Sequence, residues 1–149
     1  MTPLEVTEQF VAAINAHDLA RLASLMTTDH RFIDSLGTLA EGRDTICGGW
    51  EFYFSIVADY ALEISRSFIA KDGGVEIVLV GVASGSYWSN GEKRPNSSWR
   101  TPAAWRAVVR DDGIAEWQVY ADNEPIRKQM RAASAYSREA PPNVSEHPK

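Results

Sequence analysis

The sequence has 149 residues, enough for one domain with a single sizeable core, and its apolar fraction of 44% is ordinary for a globular protein. The net charge of −5 argues against nucleic-acid binding and against attraction to an anionic membrane surface. The single cysteine, Cys47, excludes an internal disulfide and favours a reducing compartment. Since no apolar run approaches membrane-spanning length and no signal-peptide core follows Met1, we expect a soluble, cytoplasmic protein.

Two amphipathic helices are predicted at the start of the chain. Thr2 and Pro3 are typical of a helix cap and first turn, and apolar residues recur behind them at helical spacing: Val6, Phe10, Val11 and Ile14. Residues 15–18 interrupt this pattern. Asp18 is placed to cap a second helix, whose buried face would hold Leu19, Leu22, Leu25 and Met26.

A candidate functional carboxylate, Asp34, lies in a segment predicted as a strand over residues 29–36. Because the side chains of a strand alternate between faces, His30, Phe32 and Asp34 share one side. If Phe32 faces the core, Asp34 is carried into it, where a carboxylate needs an ion pair or hydrogen bonds. Two interpretations stay open: a working acid or base, and a turn-forming Asp that bonds its own backbone just before Gly37.

A third helix is predicted after the turn at residues 41–44, with Asp44 as its cap. Its apolar stripe holds Ile46, Trp50, Phe54 and Val57. An aromatic stripe of this kind is typical of a core, and it could equally form the wall of a pocket.

From residue 60 onward the period of the hydrophobic pattern changes to two, which indicates strands. We predict strands at residues 60–70, 75–87, 99–109 and 114–122, with turns at residues 71–74, 89–92 and 110–113. A short helix over residues 126–133 follows. We assign residues 5–133 to one domain and residues 134–149 to a polar, proline-containing tail that we expect to be mobile.

This order of elements, helices first and hairpin-linked strands after, predicts an α+β fold with a curved, mainly antiparallel sheet. We expect four helices, with the N-terminal helices closing a cone-shaped pocket. Ligand sites usually form in such a cavity.

Several segments resemble the NTF2-like superfamily: residues 10–19, residues 29–37 and residues 41–44, which read EGRD. Residues 112–125 resemble the last strand of its SnoaL-like branch, which contains polyketide cyclases. The resemblance covers most of residues 5–130 and implies the NTF2-like fold. Members often pair through the outer face of the sheet, so we expect a homodimer, with Trp88, Trp99 and Trp117 as candidates for that surface.

The resemblance also implies roles for individual residues. Asp34 falls where the ketosteroid isomerases keep their proton-shuttling aspartate. Phe10 and Trp105 stand where those enzymes place the two O–H donors of their oxyanion hole. Neither side chain has an O–H group, so we do not expect a true ketosteroid isomerase.

Two other branches of the superfamily use a carboxylate on the last strand. The epoxide hydrolases need an Asp-Arg-Asp set, but residues 78–82 supply neither Arg nor Asp, and their remaining aspartate falls at Tyr120. The acid of the polyketide cyclases also falls nearest Tyr120. Alternation places Gln118, Tyr120 and Asp122 on one face, so Asp122 could serve in that role; its structural interpretation is a cap for the closing helix.

We therefore expect a cofactor-independent acid/base enzyme of the cyclase or isomerase kind, acting on a small hydrophobic, ring-bearing or carbonyl substrate. Asp34 would take a proton, and Asp122 or Tyr120 would bond the oxygen or return the proton. Gln118 and the aromatic residues Phe10, Phe32, Trp50, Phe54 and Trp105 would contact the substrate. No group of potential ligands has metal-binding spacing, so we expect neither metal nor cofactor.

Alternative functions are a non-catalytic small-molecule-binding or protein-interaction domain, and an epoxide hydrolase-like enzyme that lacks the usual Asp-Arg-Asp set. The pocket discriminates between the two main hypotheses. An open cavity faced by both Asp34 and Asp122 would favour an enzyme, whereas a filled cone would favour a binding domain.

Overall fold

The computed structural model describes residues 1–71 and 75–136. Within these residues the chain forms four helices and eight strands, in the order α1 (Pro3–Ala16), α2 (Leu19–Leu25), β1 (Met26–Ile33), β2 (Leu39–Glu41), α3 (Arg43–Ile56), β3 (Ala61–Ile69), β4 (Glu76–Gly85), β5 (Trp88–Ser89), β6 (Glu92–Lys93), β7 (Trp99–Arg110), β8 (Gly113–Ala121) and α4 (Glu124–Tyr136). No helix in the described ranges is long and apolar enough to span a membrane.

Six strands form one sheet in the order β2-β1-β8-β7-β4-β3. All neighbours are antiparallel except β1 and β8, which are parallel. The predicted α+β fold with a mainly antiparallel curved sheet is confirmed. Strands β5 and β6 form a separate hairpin, in which Asn90 and Gly91 both have positive φ, as a tight two-residue turn requires.

The first two helices begin where the sequence predicts. The side-chain oxygen of Thr2 accepts the N–H of Glu5 at 3.1 Å while a Glu5 carboxylate oxygen accepts the N–H of Thr2 at 2.8 Å, which forms a capping box. Asp18 Oδ1 accepts the N–H of Arg21 at 3.0 Å and caps α2. The third helix differs from prediction, because Gly42, with φ of 98°, is its N-cap and Asp44 lies inside the first turn.

Strand β1 begins and ends earlier than predicted, which changes the setting of Asp34. Met26 belongs to the strand and not to the second helix, and the strand ends at Ile33. Asp34 then opens a turn in which its N–H donates to the carbonyl of Thr38 at 3.0 Å and Gly37 N–H donates to the carbonyl of Asp34 at 2.9 Å. Asp34 is therefore half-buried at the strand's end and not carried into the core.

Helix α1 packs against the sheet through Phe10, whose ring lies 4.9 Å from Trp117 and 6.0 Å from His30. His30 is fully buried, and its Nδ1 lies 2.6 Å from the carbonyl oxygen of Ile114. Burial lowers the pKa of His30, so the imidazole is neutral and Nδ1–H donates to that carbonyl. Trp117 thus belongs to the core, and the expectation that it lies on an outer dimer surface is wrong.

Two segments of the sequence prediction fall largely outside the described residues. The turn predicted at residues 71–74 connects β3 and β4, which are antiparallel neighbours, but residues 72–74 are not described. Helix α4 extends to Tyr136, so residues 134–136, which were assigned to the tail, are helical. The rest of the predicted tail, residues 137–149, lies outside the described part of the chain.

Candidate functional site

A cavity of about 450 Å³ lies between the sheet and helices α3 and α4. Helix α3 contributes Thr45, Ile46, Gly49, Trp50 and Tyr53, and α4 contributes Ile126. The sheet contributes large residues, Trp99 and Trp105 among them, and three alanines: Ala83 on β4, Ala103 on β7 and Ala121 on β8. Ala103 pairs directly with Ala121, so the absence of larger side chains at these inward positions leaves the space open.

Asp34 lines this cavity from the turn that follows β1. Its Oδ1 accepts the backbone N–H groups of Leu36 and Thr38, each at 2.9 Å, which fixes the carboxylate in the turn. Oδ2 takes no part in these two bonds. Asn123 Nδ2 donates to Ser35 Oγ and ties the turn to the segment that follows β8. The structure therefore shows the turn-forming role of Asp34, and a role as an acid or base stays a prediction.

Three of the five predicted aromatic residues line the cavity: Phe32, Trp50 and Trp105. Phe32 meets Trp50 edge-to-face with a centroid separation of 6.0 Å. Phe10 and Phe54 do not line it. Phe10 packs in the core beneath α1, and Phe54 stacks on His17 with ring centroids 4.1 Å apart.

The three predicted residues of the last strand lie away from the cavity. Trp117 is buried in the core and Val119 lines the cavity, so alternation turns Gln118, Tyr120 and Asp122 to the opposite side. Tyr120 is 51% exposed. Asp122 is exposed, and its Oδ1 accepts the N–H of Glu124 at 2.9 Å at the start of α4, as its structural interpretation predicted. Asp34 and Asp122 therefore do not face a common pocket.

Three aromatic residues of the cavity were missed by the sequence prediction: Tyr53, Tyr60 and Trp99. Burial raises the pKa of both phenols, so each keeps its proton near neutral pH and its hydroxyl can donate a hydrogen bond. Trp99 is buried, and not on the outer surface where it was expected. A signal for Tyr53 existed, because it follows Trp50 by three residues on a helix and shares its face.

The family of the chain can now be stated. Residues 7–117, more than half of the chain, match the family profile of the SnoaL-like domain. The chain belongs to the SnoaL-like domain family. None of the proteins with curated descriptions matches the sequence.

Solved structures share the fold of this SnoaL-like domain. A hypothetical protein with a ketosteroid isomerase-like fold from Catenulispora acidiphila, in complex with trimethylamine, is 21% identical, with a TM-score of 0.72 over 87% of this chain and 93% of that chain. A candidate SnoaL-like polyketide cyclase from Shewanella denitrificans is 15% identical, with a TM-score of 0.74 over 87% and 97%. IdmH, a candidate polyketide cyclase from Streptomyces antibioticus, is 20% identical, with a TM-score of 0.70 over 87% and 98%. At these identities they establish the fold alone.

The cavity walls of this SnoaL-like domain hold three buried indole N–H groups without a hydrogen-bond acceptor among the described residues, those of Trp50, Trp99 and Trp105. Buried donors in folded proteins are almost always paired with protein or water. The three nitrogens are themselves buried, so they are unpaired donors within the wall and not groups presented to the cavity. The lining is mainly apolar, and Asp34 is the only carboxylate among the lining residues that the structure describes.

Proposed function

We propose that this SnoaL-like domain is a cofactor-independent acid/base enzyme of the cyclase or isomerase kind. Its substrate would be a small hydrophobic compound that bears rings or a carbonyl group. Asp34 Oδ2 would take a proton from the carbon beside the carbonyl, and the hydroxyl of Tyr53 or Tyr60 would donate a hydrogen bond to the enolate oxygen. In an isomerisation, Asp34 would return the proton to another carbon. In a cyclisation, the carbanion would attack a second carbonyl carbon, and the proton held by Asp34 would go to the alkoxide oxygen that this attack creates.

The observation that carries this proposal is one carboxylate in an apolar cavity that is also lined by two phenols. Oδ1 of Asp34 is held by two backbone N–H groups, so the side chain is fixed before the substrate arrives. The phenols of Tyr53 and Tyr60 line the same cavity and would supply the O–H donors that Phe10 and Trp105 cannot provide. Tyr120 and Asp122 receive no role in the chemistry, because they lie on the other side of β8.

The proposal predicts that Asp34→Asn lowers catalysed proton exchange about a hundredfold, within the usual contribution of a general base. Asparagine retains an oxygen for the turn and replaces the proton-accepting oxygen with an amide. The measurement is deuterium uptake from D₂O into the carbon beside the carbonyl of simple ring ketones such as 2-tetralone, followed by NMR. Asp44→Asn makes the same change on an exposed residue outside the cavity and should exchange like the parent.

An Asp34→Asn protein that exchanges as fast as the parent would remove Asp34 from the mechanism. Asp34→Ala separates the two roles of the residue, since it also removes the oxygen that holds the turn. We expect Asp34→Ala to lose thermal stability as well as exchange, whereas Asp34→Asn loses exchange alone.

A non-catalytic binding domain is the second candidate. The observation that favours it is that Asp122 does not face the cavity, which leaves a single carboxylate where two were expected. Under this alternative, ring ketones bind to the parent and to Asp34→Asn alike, and neither protein accelerates deuterium uptake.

We further propose a homodimer formed through the outer face of the sheet. Val80 pairs with Ala104, which pairs with Tyr120, so these residues share that face, and Phe68 lies beside Val78 in the next row. Val80, Phe68 and Tyr120 are 37%, 44% and 51% exposed, an apolar exposure typical of an interface.

Light scattering after size exclusion should give about twice the chain mass of 16.5 kDa at micromolar concentration. Val80→Arg should shift the protein to the monomer, because it buries an unpaired charge in the interface. A monomeric parent protein would refute the pairing.

The cytoplasmic location expected from the lone Cys47 stays a prediction.

A further inference from the structure

Four aromatic rings form a cluster at one part of the cavity, and Tyr60 is at its centre. The ring of Tyr60 lies 5.0 Å from Tyr53, 6.3 Å from Trp50 and 6.1 Å from Trp99. The interplanar angles are 86°, 43° and 46°, so the rings do not stack but lie in different planes. All four residues line the cavity, and we call them the ring cluster.

The charge of the cavity has one sign. Among the residues that the structure describes, its lining includes no Lys, Arg or His, and Asp34 is the only lining residue that is ionised at neutral pH. None of the ion pairs of the described residues involves Asp34. The face of an aromatic ring carries a partial negative charge that attracts cations. Both features favour a cationic ligand over an anionic one.

The ring cluster begins close to Asp34 and extends along the sheet, since Trp50 lies 6.0 Å from Phe32, which precedes Asp34 by two residues. Asp34 follows Ile33, and Ile33 pairs with Gln118 on β8. The residue after Gln118, Val119, pairs with Trp105 on β7, so Asp34 lies near the Trp105 end of that strand. Trp99 precedes Trp105 by six residues on β7, a separation of about 20 Å along an extended strand. One ligand can therefore present a reacting carbon to Asp34 and a second group to the ring cluster.

We propose that the ring cluster binds an alkylated ammonium group, so that the substrate is a ring-bearing carbonyl compound that carries a tertiary or quaternary amine. This rests on the proposed function, because it places the substrate in the same cavity. A primary ammonium has three N–H donors that need acceptors, and within the ring cluster only the hydroxyl oxygens of Tyr53 and Tyr60 can accept a hydrogen bond. An alkylated ammonium has few or no donors and is recognised by ring faces alone.

The first test compares two probes of the same shape that differ in charge. They are 3-hydroxyphenyltrimethylammonium and its neutral counterpart 3-tert-butylphenol, titrated into the wild-type protein by calorimetry. We expect the cation to bind at least tenfold more tightly than the phenol. Equal affinities, or tighter binding of the neutral probe, would overturn the proposal and leave an apolar pocket without charge preference.

The second test assigns the preference to the rings. Trp99→Leu removes one ring and should weaken binding of the cation about fivefold with little change for the phenol, whereas Tyr60→Phe keeps its ring and should keep the preference. Thermal melts establish that both variants are folded. If Trp99→Leu does not fold, the two probes on the wild-type protein still decide the outcome.

Asp34→Asn separates this inference from the proposed chemistry. We expect the variant to keep a smaller cation preference, which the rings alone supply, while deuterium exchange is lost. If the preference disappears in Asp34→Asn, the carboxylate holds the cation and the assignment to the ring cluster is wrong. If exchange is unchanged but the preference remains, the proposed chemistry fails and the cation site stands.

Discussion

Gly81→Ala is expected to lower the melting temperature of the protein by about 10 °C, since a destabilisation of about 3 kcal/mol shifts a domain of this size by that amount. Gly81 lies on β4, opposite an irregularity in β3 between Ile64 and Arg66. A Cβ atom at Gly81 would lie 1.9 Å from the carbonyl oxygen of Glu63 and 2.9 Å from its carbonyl carbon. These are backbone atoms, so the clash is relieved only if the two strands separate or the bulge changes.

The matched control is Gly48→Ala in α3. No atom lies within 4 Å of the Cβ position at Gly48, and alanine is the better helix former by up to about 1 kcal/mol. This variant should melt at or above the temperature of the parent. Thermal unfolding followed by circular dichroism measures both, and a Gly81→Ala protein as stable as the parent would show that the bulge adapts at little cost. Bulges bend strands, so loss of this one should also narrow the cavity.

The fold class could be predicted from the periodicity of the hydrophobic pattern. The alternation of side chains along a strand also specifies which residues share a face, and the sequence prediction did not apply this rule consistently. Residues 99, 101, 103 and 105 of one strand must share a face, yet Trp105 was assigned to the pocket and Trp99 to the outer surface. The structure places both in the cavity wall. In β8, the same rule places Val119 and Ala121 on the face of the buried Trp117. Tyr120 and Asp122 therefore lie on the opposite, outer face. The wrong face was chosen there because the resemblance pointed to an acid near Tyr120.

Other parts of the site depend on packing that no local pattern encodes. Trp50 and Phe54 share one helical stripe, but only Trp50 reaches the cavity, because Phe54 stacks on His17. Tyr60 lies in the connection between α3 and β3, and its place at the centre of the ring cluster depends on residues distant in sequence. Asp34 was predicted on a strand, whereas its own hydrogen bonds to Leu36 and Thr38 form a turn there.

The alanines of the sheet are the feature that opens the cavity, and they lead to the prediction with the largest effect on function. Ala103→Leu is expected to abolish binding of ring ketones and deuterium exchange into them. Ala103 is 7% exposed, lines the cavity and pairs with Ala121, so a leucine there extends into the space that a substrate ring would occupy. Since the added side chain fills an apolar void, the melting temperature should be unchanged or higher.

Ala104→Leu is the matched control, because it adds the same volume to the next residue of β7, whose side chain points to the opposite face. It should bind and exchange as the parent does. Titration of 2-tetralone by calorimetry, with thermal melts of both variants, gives the result. An Ala103→Leu protein that is stable but binds the ketone like the parent would show that the substrate does not occupy this part of the cavity, and the reaction would then have to be sought nearer the turn of Asp34. A protein that loses binding but keeps its melting temperature would show that the substrate occupies the space left by the three alanines, where it lies within the same cavity as Asp34.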